Sequence, residues 1–201
     1  MKVYKEEPLY EQINSIYDRF FAGFLINSVV LCVHAGIPIE AIQKFLTLEE
    51  VFSRFKSESI SACMKYLEAS ESDFAAYIKD HPISAAHFQI YWNDPISDEF
   101  NFGVPIYDDL GNRLSIRGEG AFRFSEKTLD YFFKAFGIKM MVRSHEAFRS
   151  GAKKLYNGKL WSVFSILLYG KPIDAKYLRI QFNNLGDIKK IKPISIKPLK
   201  D

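Results

Sequence analysis

Two apolar runs in this chain each end on a histidine. The first, at residues 28–36, reads SVVLCVHAG, and the second, at residues 138–146, reads IKMMVRSHE. Short apolar runs are typical of buried strands, and the strands of an α/β sheet deliver polar residues to the edge where ligands usually bind. Because neutral imidazole is a common metal ligand, the pattern predicts an α/β scaffold that holds His34 and His145 at one site.

Each of these histidines also has a simpler interpretation. Polar groups near the ends of strands are often satisfied by hydrogen bonds alone, so His34 and His145 are compatible with a purely structural role. The other two histidines, His81 and His87, lie in a polar helical region and are expected to be solvated. The residues alone leave both interpretations of the first pair open.

Composition narrows the class of protein. A length of 201 residues favours one domain, and 48% hydrophobic with 25% charged residues is ordinary for a soluble protein with a core. A net charge of +3 is too small to indicate nucleic-acid binding. Cys32 and Cys63 have neither a metal-binding spacing nor the number needed for a disulfide framework, so we expect a reducing, cytoplasmic setting.

Membrane insertion is not expected from the sequence. The longest apolar stretch, residues 20–33, is interrupted by Asn27 and Ser28 and is shorter than the roughly 20 apolar residues that span a bilayer. Residues 1–10 are charged rather than apolar, which argues against a signal peptide.

The first half of the chain is predicted to be mainly helical. Apolar spacing predicts a helix over residues 11–21 that Gly23 ends, a strand over 24–33 and a short helix over 39–46. Thr47 and Glu50 form a capping-box pattern for a helix from residue 48 to about residue 55. Further helical segments at residues 60–67 and 74–78, and a short one leading to Trp92, complete a helical region.

The second half is predicted to contain most of the strands. A loop-rich part follows Trp92, and Ser125 then caps a helix that Gly137 ends. Strands are expected from Ile138 and over three later segments, the last of them a lysine-rich edge strand: residues 159–166, 177–182 and 188–196. Helices early and strands late predict an α/β fold with a mixed sheet.

Arg117 and Tyr169 are further candidates for binding or catalysis. Arg117 lies in the long loop, where a guanidinium group can bind phosphate oxygens through two hydrogen bonds. A surface or structural arginine is the alternative. Tyr169 follows an apolar run, and its alternative role is that of a core tyrosine whose hydroxyl is satisfied.

Five short motifs, taken in order, resemble those of the calcineurin-like metallophosphoesterases, specifically the phosphoprotein phosphatases that act on phosphoserine and phosphothreonine. The resemblance as a whole covers about residue 11 to about residue 185. The motifs are Val-His-Ala-Gly at 33–36, Trp-Asn-Asp-Pro at 92–95, Arg-Gly at 117–118, Arg-Ser-His-Glu at 143–146, and Phe-Ser followed by Tyr at 164–169.

This resemblance implies roles for four residues. His34 and His145 would ligate one of two adjacent divalent metal ions, commonly manganese, iron or zinc. Arg117 would bind the phosphate group of a phosphoprotein or other phosphate monoester, and Tyr169 would lie beside it. In such a site two metal ions bind the phosphoryl oxygens and activate the attacking water.

The resemblance also implies a fold. The family forms a β-sandwich flanked by helices, and residues 1–201 would make a single partial domain that supplies mainly the second half of that sandwich. The helices within residues 47–89 exceed the usual connection of the family and are expected to form a helical insertion.

Some of the family's motifs do not occur in residues 1–201. Gly-Asp-x-His-Gly, Gly-Asp-x-x-Asp-Arg-Gly and Gly-Asn-His-Glu are absent from this sequence, and with them the remaining metal ligands, one phosphate arginine and the histidine that protonates the leaving group. Ser115 stands where the family has an asparagine, and Ile-Leu-Leu at residues 166–168 replaces its Ala-Pro-Asn.

Two functions are compatible with this pattern. One is the carboxyl half of a serine/threonine phosphatase that needs an amino-terminal half for activity. The other is a degenerate, non-enzymatic binding or scaffold module. The first predicts an exposed apolar face that binds the amino-terminal half or mediates self-association. It also predicts little or no turnover by these residues alone.

Overall fold

A computed structural model describes residues 21–39, 47–52, 80–97, 106, 108–115 and 120–197. The helices predicted over residues 11–21, 39–46, 60–67 and 74–78 lie wholly or mainly outside these ranges, as does most of the helical region of residues 47–89. Among the described residues, no helix is both long enough and apolar enough to cross a membrane.

Twelve strands and three α-helices form the described part. The strands are β1 (Gly23–Ile26), β2 (Val30–Val33), β3 (Asp94–Pro95), β4 (Arg113–Leu114), β5 (Phe122–Phe124), β6 (Met140–Arg143), β7 (Ala152–Leu155), β8 (Leu160–Val163), β9 (Leu168–Tyr169), β10 (Lys171–Pro172), β11 (Lys176–Phe182) and β12 (Ile188–Ser195). The helices are α1 (Leu48–Val51), α2 (Pro82–Trp92) and α3 (Glu126–Phe136).

The main sheet has five strands in the order β1-β2-β6-β8-β7. Strands β2, β6 and β8 run parallel, while β1 and β7 pair antiparallel at the two edges. The predicted mixed sheet of an α/β protein is therefore confirmed. Because β2 and β6 are parallel neighbours, their carboxyl ends lie at the same edge of the sheet.

The single strand predicted over residues 24–33 is wrong. The role of Gly23 as a helix end stays a prediction, because the helix before it lies mainly outside the described residues. Gly23 is the first residue of β1, and β1 and β2 form a hairpin in which Leu25 pairs with Leu31. The turn contains Asn27 and Ser28, whose φ angles are 50° and 56°. Short polar side chains tolerate this left-handed backbone, so the two residues that interrupt the apolar run mark the turn.

Helix α3 packs on the main sheet, and its predicted ends are correct. The Thr128 backbone N–H donates to Ser125 Oγ (3.2 Å), and Gly137 ends the helix with a φ of 70°. A large core cluster joins the buried side of this helix to one face of the sheet. It includes Leu129, Phe132 and Phe133 from the helix, Phe124 from β5, and Leu31, Met141 and Leu160 from the sheet.

The remaining strands lie outside the main sheet. The predicted strands at 177–182 and 188–196 correspond to β11 and β12, which form a hairpin rich in lysine on β12. The strand predicted over 159–166 is shorter and corresponds to β8. Strands β3, β5 and β4 form a small sheet, and β9 pairs with β10. These short strands, together with β7, have no counterpart among the predictions.

Candidate functional site

His34 and His145 lie beside each other at the carboxyl ends of β2 and β6. The strands are in register through the pairing of Cys32 with Val142, so the residues that follow them meet at one edge of the sheet. His34 Nε2 and His145 Nδ1 are 2.9 Å apart and share a hydrogen bond whose donor depends on the tautomer. The structure thus brings together the two histidines that the sequence pattern singled out.

The backbone at His145 is unusual and directs its ring. Its φ angle is 70°, and the Glu146 N–H donates across it to the Ser144 carbonyl oxygen (2.9 Å). That hydrogen bond around a central positive φ has the pattern of the rare γ-turn, and a non-glycine residue held this way costs about 1–3 kcal/mol. The Ser144 N–H also donates to the His34 carbonyl oxygen (2.9 Å), which fastens the two histidine segments together.

A buried ion-pair network stands directly behind the histidines. The Arg143 side chain is fully buried; its Nη2 donates to Asp94 Oδ1 (2.8 Å), and its Nη1 donates to Glu146 Oε2. Burial raises the pKa of Glu146, and the positive charge of Arg143 opposes that shift. Because a buried charge requires compensation, the network holds the loop after α2 against the end of β6.

Asn93 and Gly36 lock the segment after His34 in place. Asn93 Nδ2 donates to the Ile37 carbonyl oxygen (2.9 Å), and Asn93 Oδ1 accepts from the Phe122 N–H (2.7 Å). The Gly36 N–H donates to the carbonyl oxygen of Ile90 in α2 (3.0 Å). A Cβ atom on Gly36 would lie only 2.4 Å from the Asn93 carbonyl oxygen, so the close packing requires glycine.

Two aromatic rings and the positive charge of Arg143 surround the histidine pair. The Tyr91 ring lies 5.6 Å from the His34 ring, and the Trp92 ring meets the His145 ring edge-on at 5.9 Å. Partial burial lowers the pKa of His34, and the charge of Arg143 lowers it further. At neutral pH this favours the uncharged imidazole, which is the form that binds a metal ion.

The two imidazoles fit two positions around one metal ion. Nitrogen ligands lie about 2.0–2.1 Å from zinc, so two of them are about 2.9 Å apart at the right angle of an octahedral ion and about 3.3 Å apart at a tetrahedral angle. The separation of His34 Nε2 and His145 Nδ1 is 2.9 Å. Among the described residues, no group of three or more His, Cys, Asp or Glu side chains could hold a metal ion. The described part therefore brings two imidazoles together but shows no complete metal site.

The other two predicted site residues are not brought to this pair by any described contact. Arg117 lies outside the described residues. Tyr169 lies on β9 with 65% of its surface exposed, and its ring meets the Phe164 ring edge-on at 5.6 Å. The alternative in which Tyr169 is a core tyrosine is therefore wrong.

His87 corrects a further expectation. It was predicted to be solvated, but it is 2% exposed and its Nε2 donates to the Val51 carbonyl oxygen (2.9 Å). Burial lowers its pKa. The reason is that α2 is buried on several sides, as its neighbours Phe88 and Ile90 show. His81, by contrast, is exposed as predicted.

Cys32 is a half-buried residue beside the site, and its thiol is not ionised in the metal-free protein. Burial raises the pKa of its thiol to about 11. At neutral pH it is therefore protonated, whereas metal binding requires the thiolate.

Four residues that fasten the site have no role assigned to them by the sequence pattern. Asn93, Asp94, Arg143 and Glu146 all lie within the matched motifs at residues 92–95 and 143–146. The available signal was a set of polar and charged residues placed directly after buried elements. Such residues must find partners when they are buried, and here the partners are one another and the backbone.

Comparisons with known proteins agree with the motifs. No protein-family model matches the chain. The serine/threonine-protein phosphatase 4 catalytic subunit of Saccharomyces cerevisiae is 20% identical over 166 residues, covering 82% of this chain and 42% of the relative. The corresponding subunit of Eremothecium gossypii is 23% identical over 165 residues, covering 82% and 41%.

The chain thus spans about two fifths of the length of these curated relatives. Among solved structures, a serine/threonine phosphatase from Saccharomyces cerevisiae, described as similar to human phosphatase PP5, matches with a TM-score of 0.49 and 19% identity, over 90% of this chain and 48% of that one. The curated relatives confirm the predicted resemblance to the carboxyl-terminal half of a phosphoprotein phosphatase.

Proposed function

We propose, starting from the resemblance to the carboxyl-terminal half of a phosphoprotein phosphatase, that this chain supplies part of a metal-dependent serine/threonine phosphatase centre. The reaction is hydrolysis of the phosphate monoester of a phosphoprotein. The observation that carries the proposal is the convergence of His34 Nε2 and His145 Nδ1 to 2.9 Å from segments 111 residues apart.

In this proposal His34 and His145 supply two ligands to a divalent ion, with manganese, iron or zinc as candidates. When bound, such an ion polarises the phosphoryl group and activates water for attack. The residues of this chain hold the ligands ready: the γ-turn aims the His145 ring, and the neutral state of His34 keeps a lone pair available. Arg143 acts behind them as a positioning residue through Asp94 and Glu146.

Two more residues have proposed roles. Arg117 binds the phosphate group through its guanidinium, and Tyr169 lies beside the substrate on the exposed β9–β10 hairpin. We further propose that residues 1–201 form a single partial domain, one half of a metallophosphoesterase-type β-sandwich flanked by helices, with a helical insertion at about residues 47–89.

The remaining ligands are proposed to come from an amino-terminal half. The motifs that carry them do not occur in residues 1–201. An open, largely apolar cleft of about 490 Å³ lies beside His34 and is lined in part by Phe21 and Phe24. These two rings are 60% and 61% exposed at or beside edge strand β1. We infer that the amino-terminal half covers this face.

A non-enzymatic binding or scaffold module is the second candidate function. The observation that favours it is the same short contact, because a direct hydrogen bond between His34 and His145 satisfies both nitrogens without an ion. In that case the buried network behind the pair serves only to hold the fold together.

Measurements of activity and of metal binding on the purified chain distinguish the phosphatase function from the scaffold function. Alone, residues 1–201 should not hydrolyse a phosphorylated peptide above background with manganese present. Mixed with an amino-terminal half that bears the three missing motifs, they should gain activity. His145→Ala should abolish the gain, since it removes one of two converging ligands, whereas His81→Ala, at an exposed position, should leave it intact.

Calorimetric titration of the assembled pair with manganese or zinc supplies the second readout. His145→Ala should weaken binding by at least about tenfold, because loss of even an outer-shell partner of a metal ligand typically costs about that much. If the assembled pair binds no metal and stays inactive, the scaffold function stands. If residues 1–201 alone turn over substrate in a His145-dependent way, the inferred need for an amino-terminal half is wrong.

A further inference from the structure

A second cleft lies on the carboxyl side of the segment that carries His145. Its volume is about 390 Å³. We call it the cationic cleft; it is lined by Ala147, Arg149, Tyr169, Gly170, Lys171 and Ile173. One wall thus belongs to the segment that follows His145, and the other wall belongs to the β9–β10 hairpin and the residue after it.

The two walls of the cationic cleft are fastened to each other. The Asp174 N–H donates to the Arg149 carbonyl oxygen across the two walls (3.0 Å), and the Ile173 N–H donates to the Leu167 carbonyl oxygen at the base of the β9–β10 hairpin (3.0 Å). Gly151, with a φ of 64°, packs so closely that a Cβ atom there would lie 1.8 Å from the Asp174 carbonyl oxygen. The cleft is therefore set by backbone contacts and does not depend on side-chain positions alone.

The charge of the cleft is uncompensated within the described part of the chain. Arg149 and Lys171 are both exposed, and neither forms an ion pair with a described carboxylate. Other lysines of the fold behave differently: Lys139, Lys159 and Lys176 each pair with a carboxylate within 3.0 Å. Two unpaired cations facing one cleft with no acidic lining residue favour an anionic occupant.

The surroundings of the two cations indicate a peptide rather than a bare anion. Leu168 and Tyr169 on the hairpin are 67% and 65% exposed, so apolar surface lies directly beside the charge. A carboxylate can accept two hydrogen bonds from a guanidinium, while the adjoining backbone and apolar side chains of a peptide cover the hairpin. An acidic residue in an extended peptide matches both features.

Distance along the chain relates this cleft to the histidine pair. Ala147 and Arg149 follow His145 by two and four residues, which corresponds to at most about 7–14 Å of chain. An extended peptide covers that span in about two to four residues. A substrate whose phosphoryl group lies at the histidine pair would therefore place a nearby side chain at the cationic cleft.

We propose that the cationic cleft binds the carboxylate of an Asp or Glu residue of the phosphopeptide substrate, about two to four residues from the phosphorylated residue. Arg149 and Lys171 are its specificity-determining residues. This inference rests on the proposed function for the position of the phosphoryl group, while the preference for a carboxylate rests on the cleft itself.

The test is fluorescence anisotropy with four labelled peptides of one sequence. They combine phosphoserine or serine with Glu or Gln three residues away. The assembled protein should bind the Glu peptides about tenfold more tightly than the Gln peptides at low salt, because the charge-assisted contacts are lost in Gln. The ratio should shrink as salt is added, since the cations are exposed.

Two matched variants separate the cleft from general charge. The double change Arg149→Gln and Lys171→Gln should remove the preference for Glu. The double change Arg179→Gln and Lys190→Gln removes the same two charges from the β11–β12 hairpin, which does not line the cleft, and should leave the preference intact. All four positions are exposed, so circular dichroism should show unchanged folding.

The outcomes distinguish this inference from the proposed function. Equal binding of Glu and Gln peptides, or a preference that survives the change at Arg149 and Lys171, overturns the cationic cleft. A preference for Glu over Gln in both the phosphoserine and the serine peptides supports the cationic cleft. If phosphoserine peptides bind no more tightly than serine peptides, that result counts against the phosphatase centre but not against the cleft. A labelled single-stranded RNA is measured in the same way. If it binds more tightly than any of the peptides, and the double change at Arg149 and Lys171 abolishes that binding, the assignment to a peptide is overturned.

Discussion

The two ends of strand β6 carry the same kind of interaction in opposite surroundings. Just before the strand, Lys139 Nζ lies 2.7 Å from Asp187 Oδ1, and both side chains are at least half exposed. At its other end, Arg143 Nη2 lies 2.8 Å from Asp94 Oδ1, with side-chain exposures of 0% and 3%. The distances are nearly equal, yet water reaches one pair and not the other.

The difference shows why only one end of the strand suits a functional site. An exposed pair is screened by water and salt and constrains little. A buried pair cannot lose one partner without leaving a charge in a medium of low polarity. Arg143, Asp94 and Glu146 must therefore keep their arrangement, and His145, between Arg143 and Glu146 in the chain, is held with them even though its backbone is strained.

The largest expected effect comes from breaking the buried end. Arg143→Met should lower the free energy of unfolding by about 3–5 kcal/mol, because it leaves the carboxylates of Asp94 and Glu146 buried without their cation. Urea denaturation followed by circular dichroism measures the loss. A loss below about 1 kcal/mol would mean that the network behaves like a surface pair, and the contrast between the two ends would disappear.

The next effect tests the tightness of packing at each end. Gly36→Ala should lower the free energy of unfolding by about 1–3 kcal/mol, because the added Cβ overlaps the backbone of Asn93 beside the histidine pair. Gly137→Ala, near the other end of β6, meets no atom within 4 Å and is strained only by its φ of 70°. We expect Gly137→Ala to lower the free energy of unfolding by about 1 kcal/mol.

Both glycine variants are compared by the same denaturation, and the proposed metal binding by the pair of this chain with an amino-terminal half gives a second readout. Gly36→Ala should weaken metal binding, since the segment after His34 must shift, and Gly137→Ala should not. If the two variants lose the same free energy of unfolding, steric crowding at Gly36 does not account for the difference between the two ends of β6.

Stability should also depend on pH through His87, which lies in the helix that supports the buried end, and linkage limits this effect to at most about 1 kcal/mol between pH 7 and pH 5.5. Burial lowers its pKa below the ordinary value of 6.5. The unfolded chain therefore binds more protons than the folded chain as the pH falls through about 6.5, and stability falls with it. Stability from this group is fully present above that pH and is progressively lost below it.

His87→Gln provides the matched control for this pH effect. Glutamine keeps an N–H that can donate to the Val51 carbonyl oxygen, the present partner of His87 Nε2, but it does not titrate. The variant should show a flatter dependence of unfolding free energy between pH 7 and pH 5.5, by up to about 1 kcal/mol. An unchanged slope would place the acid sensitivity elsewhere in the molecule.

Local patterns were sufficient to predict the parts of the fold that depend on neighbouring residues. Helix α3 is bounded by Ser125 and Gly137, whose capping preferences are chemical properties of those residues. The approach of His34 to His145 follows from two apolar strands that each end on a polar segment. The β1–β2 hairpin is not predicted because the interruption at Asn27 and Ser28 is only two residues long and contains no glycine or proline, the usual signs of a tight turn.

Long-range partners could not be predicted in the same way. Asp94 and Arg143 are 49 residues apart, and nothing near either residue specifies the other. His87 is polar, yet Ala85, Ala86, Phe88 and Ile90 around it are buried, so tertiary packing overrides its own preference. Whether Arg117 approaches the histidine pair stays a prediction, because it lies outside the described residues.

The smallest effect is expected at the exposed end of β6. Lys139→Met makes the counterpart of the change at Arg143, but Lys139 and Asp187 are 57% and 50% exposed, so water replaces the lost partner. The urea midpoint should not move measurably, and 1 M sodium chloride should affect the parent protein and the variant alike, because the pair is already screened. A destabilisation as large as that of Arg143→Met would show that exposure does not separate the two ion pairs, and the ends of the strand would then differ only in which residues they carry.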